Sequence, residues 1–181
     1  MSGQITTLIG LPRAGKSTFA KRWMEEYYRT EYGMHRVVLN RDNLRLAIHG
    51  QRFKEEAENF VHAVTMAMLK ALLMQDMHVL VDECNTTKDS IKGILKLDAN
   101  AEFIYLDTPI EVCKQRAYAS NQPDLVEAGV IDRFHTNLGK LVRNNHPDIA
   151  IRNCGLRTDS ELLTKENILA SIEEIRKRVS T

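Results

Sequence analysis

The chain has 181 residues, of which 43% are hydrophobic and 27% are charged, with 25 basic and 24 acidic side chains. This composition is typical of a globular domain with a sizeable core, and no apolar run approaches the roughly 20 residues that cross a bilayer. The charge is uneven, because residues 1–54 hold ten Lys and Arg against four Asp and Glu, while the remainder holds fifteen against twenty. Excess positive charge in the amino-terminal part favours phosphate handling there.

The sequence also predicts a cytoplasmic protein, or one in the host cytoplasm if it is phage-encoded. Met1-Ser-Gly-Gln leads directly into an apolar run, so we expect no signal peptide. The three cysteines are widely separated, which suits reduced thiols. Neither they nor the six histidines show the spacing of a structural zinc site.

The first predicted elements are a buried strand over residues 5–9, a loop and a helix that starts near Thr18. The loop matches G-x-x-x-x-G-K-[ST], the phosphate-binding P-loop. Such a loop wraps its backbone N–H groups around an anion at a helix N-terminus, so we expect a nucleoside triphosphate here. A glycine-rich turn before an ordinary helix is the alternative. The residues expected to bind the nucleotide are Gly10, Leu11, Pro12, Arg13, Ala14, Gly15, Lys16, Ser17 and Thr18.

Two side chains of this loop have predicted chemical roles. Lys16 carries a cation that reaches the β- and γ-phosphates, and the Ser17 hydroxyl is a ligand for Mg²⁺. The implied cofactors are therefore ATP and Mg²⁺.

The second informative stretch follows a predicted strand over residues 36–40 and opens a helix over residues 42–49. Asp42 and Arg45 are three residues apart and share a helix face. A carboxylate that accepts a hydroxyl proton, beside an arginine that holds an anionic acceptor, suits phosphoryl transfer to an alcohol. Asp42 as a helix N-cap, with Arg45 on the surface, is the alternative.

The rest of the chain alternates helices and strands. A helix over residues 55–75 is expected to bury one apolar face, widened at its margin by Val61 and Leu69. The residues that share this face are Phe60, Val64, Ala67, Met68, Ala71 and Leu72. Strands follow over residues 78–82 and 102–107, with a helix between them that Thr86 or Thr87 caps. Pro109 occupies the first turn of the next helix. Residues 121–124 form a turn, residues 130–144 a helix, residues 149–151 an edge strand and residues 165–179 a last helix.

This order predicts an α/β three-layer sandwich with a parallel, mostly five-stranded sheet. We expect one domain over residues 1–181, with its ligand cleft at the carboxyl ends of the strands. Asp82, which ends the third strand, is a candidate Mg²⁺ ligand through water. Arg116 lies where a lid could close over the transferring phosphate, and Lys114 and Arg133 are weaker candidates. Acidic neighbours favour a structural thiol at Cys84.

These segments together resemble the P-loop kinases of the polynucleotide 5′-hydroxyl kinase type. The resemblance rests on the P-loop, on Asn40-Arg-Asp42-x-x-Arg45, on the strand that ends in Asp82-Glu83-Cys-Asn85, and on a lid beginning near Arg116. It covers about residues 5–145 and implies a small helical lid at about residues 114–130. It also implies Lys16, Asp42 and Arg116 as catalytic residues, with Arg45 as the clamp on an acceptor phosphate. We place Arg41 and Glu83 beside Arg45 as acceptor-binding residues.

The sequence departs from this family in two places. Glu83-Cys84-Asn85 stands where D-T-N is usual, and Ser120 occupies the place of a second lid arginine. We expect a kinase that phosphorylates a hydroxyl of a nucleic acid or nucleotide, either a 5′-hydroxyl or a hydroxymethylated base. A small-molecule or nucleotide kinase is the second hypothesis, and a nucleotide-dependent switch or binding module is the third. A few basic residues would bind the phosphates of a nucleic-acid acceptor, and Phe53 and Phe134 are candidate stacking groups for its bases.

Overall fold

The computed structural model describes residues 3–28, 35–143 and 152–153. A parallel sheet forms its centre, with the strand order β2-β3-β1-β4-β5. Its last strand contributes two residues at the edge. The strands are β1 (Gln4–Ile9), β2 (Arg36–Asn40), β3 (His78–Asp82), β4 (Glu102–Tyr105) and β5 (Arg152–Asn153).

Helices connect the strands, as the alternating pattern predicted. The β2–β3 connection contains two helices with one 3-10 turn between them, over Glu55–Ala57. The helices are α1 (Lys16–Tyr28), α2 (Arg41–His49), α3 (Glu58–Leu73), α4 (Lys88–Leu97), α5 (Ile110–Ala119), α6 (Asp124–Glu127) and α7 (Val130–Arg143). The predicted α/β sandwich with a parallel sheet is confirmed.

The strand order places the helices on both sides of the sheet. Right-handed crossovers put α1 on one face and both α3 and α4 on the other, because the connections run in opposite directions across the sheet. The methyl group of Met66 on α3 lies against Gly93 on α4, as two helices on one face require. The centre of the core consists of fully buried aliphatic side chains of the strands, among them Ile5, Leu8, Ile9 and Leu80.

The register brings the carboxyl ends of three strands to the same edge. Ile5 pairs with Val79, and Asn40 pairs with Asp82, so β1, β2 and β3 end close together. In a parallel sheet this edge is where ligands bind. The P-loop, the start of α2 and Asp82 therefore converge at one place.

The predicted centre of the buried face of α3 is wrong, whereas Val61 and Leu69, predicted at its margin, are buried. The fully buried positions are Val61, Thr65 and Leu69, whereas Phe60 is 60% exposed and Met68 is 38% exposed. Apolar residues surround this helix on several sides, so their spacing alone allows two faces. Packing selects the stripe of Val61, Thr65 and Leu69, and Phe60 and Met68 remain outside.

Several boundaries also differ from the prediction. The helix expected from residue 55 begins as the 3-10 turn, and β4 ends at Tyr105, two residues early. Pro109 is the N-cap of α5, and Thr87 is the N-cap of α4. The predicted strand over residues 149–151 and the helix over residues 165–179 lie outside the described residues. The lid and the single domain remain predictions.

The described part of the chain contains no helix with the length and apolar character that spanning a membrane requires.

Candidate phosphoryl-transfer site

The P-loop lies between the end of β1 and the first turn of α1, as its motif predicts. Arg13 and Gly15 both have left-handed backbone angles, with φ of 66° and 97°. Alternation of right- and left-handed residues curls successive N–H groups into a concave, anion-binding nest. A Cβ on Gly10 would lie 3.1 Å from the carbonyl oxygen of Leu106. Only glycine allows this close packing without a shift of its neighbours.

Lys16 is buried, with only 7% of its surface exposed. Its ammonium group donates hydrogen bonds to the carbonyl oxygens of Leu11 at 2.6 Å and Gly10 at 3.3 Å. The cation therefore lies directly under the loop. Because the Lys16 ammonium group is buried away from bulk water, it attracts an anion held in the loop more strongly.

Other elements hold the loop in place. The Thr108 hydroxyl, which follows β4, donates to the carbonyl oxygen of Ala14 at 2.9 Å. The Arg116 guanidinium on α5 donates to the carbonyl oxygen of Arg13 at 3.3 Å. The structure thus brings Arg116 to the P-loop from a position 103 residues away in the sequence.

An open cleft of about 400 Å³ joins the P-loop helix to the ends of β2 and β3. Three side chains selected from the sequence, Ser17, Asp42 and Asp82, line this cleft together. They belong to α1, α2 and β3, so the tertiary structure alone makes them neighbours. The other lining residues are Ala20, Lys21, Met24, Val38, Asn40 and Asn43.

Asn40 connects two of these positions. Its side-chain amide donates to Asp82 Oδ2 at 2.8 Å, and its Oδ1 accepts from the Asn43 backbone N–H at 2.9 Å. Asn40 is therefore the N-cap of α2. The alternative that Asp42 caps this helix is wrong, and the Asp42 side chain is 72% exposed.

Arg45 lies on the α3 side of α2. Its Nε and Nη2 atoms donate to the two carboxylate oxygens of Glu58, each at 2.7 Å. Its Nη1 atom forms a short ion pair with Asp42. Asp42 and Arg45 are thus in contact, as predicted, although Arg45 does not line the cleft itself. Hydrogen bonding to Glu58 raises the pKa of Arg45, and the same bonds lower the pKa of Glu58.

Arg41 has a carboxylate partner of its own. Its Nη2 atom lies 2.9 Å from Glu83 Oε2 and 3.5 Å from His62 Nδ1. Burial raises the pKa of Glu83, and the charge of Arg41 opposes that shift. Neither residue lines the cleft, so the structure does not bring Arg41 and Glu83 to the cleft that Asp42 lines.

The thiols near the P-loop are protonated at neutral pH. Burial raises the pKa of Cys113 to about 11 and also raises that of Cys84. Burial is the largest cause for Cys84, ahead of the acidic neighbours on which the prediction rested.

The remaining candidates lie elsewhere. Lys114 forms an ion pair with Asp132 at 2.8 Å, which joins α5 to α7. Arg133 is exposed on α7. Phe134 packs against the core, so it offers no exposed ring for stacking, whereas Phe53 is 63% exposed.

Sequence reasoning missed three residues that organise this site: Asn40 as a cap and partner of Asp82, Thr108 as a brace of the P-loop, and Glu58 as the partner of Arg45. Asn40 had a usable signal, because Asn directly before a helix favours the N-cap. Glu58 had none, since several acidic side chains precede α3 and only packing selects one of them.

The fold and the site define a P-loop protein, in which an anion-binding loop and a polar helix share the carboxyl edge of a parallel sheet. A family model described as an AAA domain matches residues 5–141, and the chain belongs to that family. No curated protein sequence matches this chain.

Solved structures share this fold. A chain of the Pnkp1/Rnl/Hen1 RNA repair complex aligns with a TM-score of 0.66 and 23% identity, over 80% of this chain and 47% of the other. The chain thus spans about half the length of that relative. The Mycobacterium tuberculosis APS kinase CysC, in complex with AMPPNP and APS, aligns with a TM-score of 0.54 and 23% identity, over 71% and 73%.

The protein APE1195 aligns over nearly the full lengths, 97% and 96%, with a TM-score of 0.65 and 17% identity. The resemblance to P-loop kinases of the polynucleotide 5′-hydroxyl kinase type is confirmed at the level of the fold.

Proposed function

We propose that this protein transfers the γ-phosphoryl group of ATP to a hydroxyl group of a nucleic acid, either a 5′-hydroxyl or a hydroxymethylated base. One observation carries the proposal: Ser17, Asp42 and Asp82 line the same cleft at the carboxyl edge of the sheet. A switch or binding module would need the P-loop and Asp82, but it has no use for an acceptor-side carboxylate beside them.

The donor nucleotide would be held by the P-loop. The backbone N–H groups of residues 13–18 would surround the phosphates, and Lys16 would shift its hydrogen bonds from the loop carbonyls to phosphate oxygens. Arg116 already contacts the loop through Arg13, from which its guanidinium can reach the transferring phosphate. Fixed positive charge at that point stabilises the charge that develops during transfer.

The residues present fit Mg²⁺. Ser17 and Asp82 supply a hydroxyl and a carboxylate oxygen to the same cleft, and oxygen donors are the ligands this ion prefers. The Asn40 side-chain amide donates a hydrogen bond to Asp82 Oδ2, and this bond orients the Asp82 carboxylate. When bound, Mg²⁺ would supply positive charge that neutralises phosphate charge in the cleft.

On the acceptor side, Asp42 would act as the general base. Its carboxylate accepts the proton of the attacking hydroxyl as the new phosphorus–oxygen bond forms and ADP leaves. Arg45 orients Asp42, and two of the five N–H groups of its guanidinium have no partner among the described residues. Those two groups can hold an acceptor phosphate.

A nucleic-acid acceptor is supported by two features. The RNA repair complex whose chain shares this fold contains Pnkp1. The turn between α2 and α3 exposes the Phe53 ring between Arg52 and Lys54. A base can stack on such a ring while the cations contact phosphates.

A small-molecule acceptor is the second candidate. The APS kinase with the same fold was solved with a nucleotide and a small sulfate-containing nucleotide substrate, AMPPNP and APS. The cleft, at about 400 Å³, is large enough for a nucleotide-sized ligand.

One experiment separates these functions. The protein is incubated with γ-labelled ATP, Mg²⁺ and a panel of 5′-hydroxyl oligonucleotides, hydroxymethylated-base DNA, nucleosides and nucleotides, with Asp42→Asn as the control. We expect label on a polynucleotide and none with the variant. Label on nucleosides or nucleotides alone would assign the second candidate, and ATP hydrolysis without any labelled acceptor would contradict the proposal.

A further inference from the structure

Arg45 and Glu58 form a bidentate ion pair. Both carboxylate oxygens accept a hydrogen bond from the guanidinium, at 2.7 Å each. A two-point fork of this kind fixes the plane of the guanidinium as well as its position. The Arg45 side chain is 15% exposed and that of Glu58 is 25% exposed, so water competes little for this pair.

The fork determines where the rest of the guanidinium points. Because Glu58 takes the edge formed by Nε and Nη2, Nη1 is the atom left to meet Asp42, and the structure places it there. Asp42 is largely exposed and receives no fixed geometry from burial. Its orientation therefore depends on Arg45, and that of Arg45 depends on Glu58.

No other acidic side chain in the described residues binds the Arg45 guanidinium through both of its carboxylate oxygens. Glu83, at the end of β3, is the nearest alternative in the sequence pattern, but it pairs with Arg41 instead. Each arginine of α2 thus has a carboxylate from a different element, and the one that serves Arg45 comes from the first residue of α3.

From this geometry we propose that Glu58 is a positioning residue for the reaction, an inference that rests on the proposed function. Glu58 holds Arg45 so that Nη1 faces Asp42 and the two remaining N–H groups face the acceptor. Without Glu58 the guanidinium rotates among several positions, and both the base and the acceptor lose their alignment. Glu58 itself contacts neither nucleotide nor acceptor.

The test is a double-mutant cycle on acceptor kinetics. Glu58→Gln preserves the shape of the side chain and removes its charge, and it is measured in the wild-type and Arg45→Ala backgrounds. Glu55→Gln is the matched control, since Glu55 is exposed, lies three residues earlier and takes part in none of the ion pairs of the described residues.

We expect Glu58→Gln to lower kcat/KM for the acceptor about tenfold in the wild-type background, the size expected for one charge-assisted hydrogen bond. In the Arg45→Ala background it should change kcat/KM less than twofold, while the KM for ATP stays unaltered in both. Equal losses in both backgrounds, or a loss no larger than that of Glu55→Gln, would overturn the proposal.

Thermal unfolding and the activity of the wild-type protein distinguish a failure of the proposal from a failure of folding or of the proposed function. Thermal unfolding is followed for every variant, and Glu58→Asp replaces Glu58→Gln if the latter unfolds below the assay temperature, with the same expected pattern. If wild-type protein phosphorylates no acceptor, the proposed function fails. If the wild type is active and the cycle is additive, only the role of Glu58 fails.

Discussion

The two sides of the cleft are built in different ways. On the donor side, the P-loop is a backbone structure packed into the core, and Leu11, Ala14 and Lys16 are all buried. On the acceptor side, α2 has no buried residue, and its functional side chains are held by ion pairs with Glu58 and Glu83. A buried anion cradle of this kind suits a triphosphate, and a surface held by ion pairs suits the acceptor that we propose.

This difference predicts that changes on the acceptor side affect transfer and leave nucleotide binding intact. The largest effect is expected for Asp42→Asn, which removes the proposed base without changing its shape. Transfer should fall about a thousandfold, within the range for loss of a general base. ATP affinity, measured by calorimetry, should stay within a few-fold. Unchanged turnover would remove Asp42 from the mechanism.

Arg45→Ala should have the next largest effect and should separate the acceptor from the donor. It removes the guanidinium that contacts Asp42 and that we propose as the clamp on the acceptor, so the KM for a phosphorylated acceptor should rise about tenfold or more. The KM for ATP, from the same steady-state assays, serves as the internal control. An unaltered acceptor KM would count against the clamp.

Thr108→Val tests the donor side in the same manner. The change keeps the branched shape but removes the hydroxyl that donates to the Ala14 carbonyl oxygen. A buried carbonyl without its partner costs about 1–3 kcal/mol, so the free energy of unfolding should fall by about that amount. ATP affinity should weaken with it. If the acceptor KM changed and ATP affinity did not, the separation of the two sides would be refuted.

The smallest expected effect is on the stability of the protein at acidic pH. The pKa of Glu58 is lowered in the folded protein from its ordinary 4.5, so its ion pair stabilises the fold above pH 4.5 and the contribution is lost as the pH falls through the lowered value. Glu58→Gln should therefore show a smaller loss of stability below pH 4.5 than the wild type. Parallel curves of unfolding midpoint against pH for the two proteins would refute this.

Elements defined by residues close together in the chain were predictable. The P-loop, the bounds of β2 and β3 and the parallel sheet follow from short apolar runs, glycine positions and a helix start. The resemblance of Asn40-Arg-Asp42-x-x-Arg45 to a kinase motif pointed to the acceptor side before any geometry was known. Each of these signals depends on backbone preferences within a few residues, which sequence carries directly.

Contacts between distant elements could not be predicted. The face that α3 buries, the choice of Glu58 as the partner of Arg45, and the approach of Arg116 to Arg13 all depend on how whole helices pack. Apolar or charged side chains at many positions satisfy the same local rules, and only the three-dimensional arrangement selects among them. The sequence by itself therefore determined that this protein has a P-loop and a parallel sheet, whereas the tertiary structure decided which charged side chains contact one another beside the cleft.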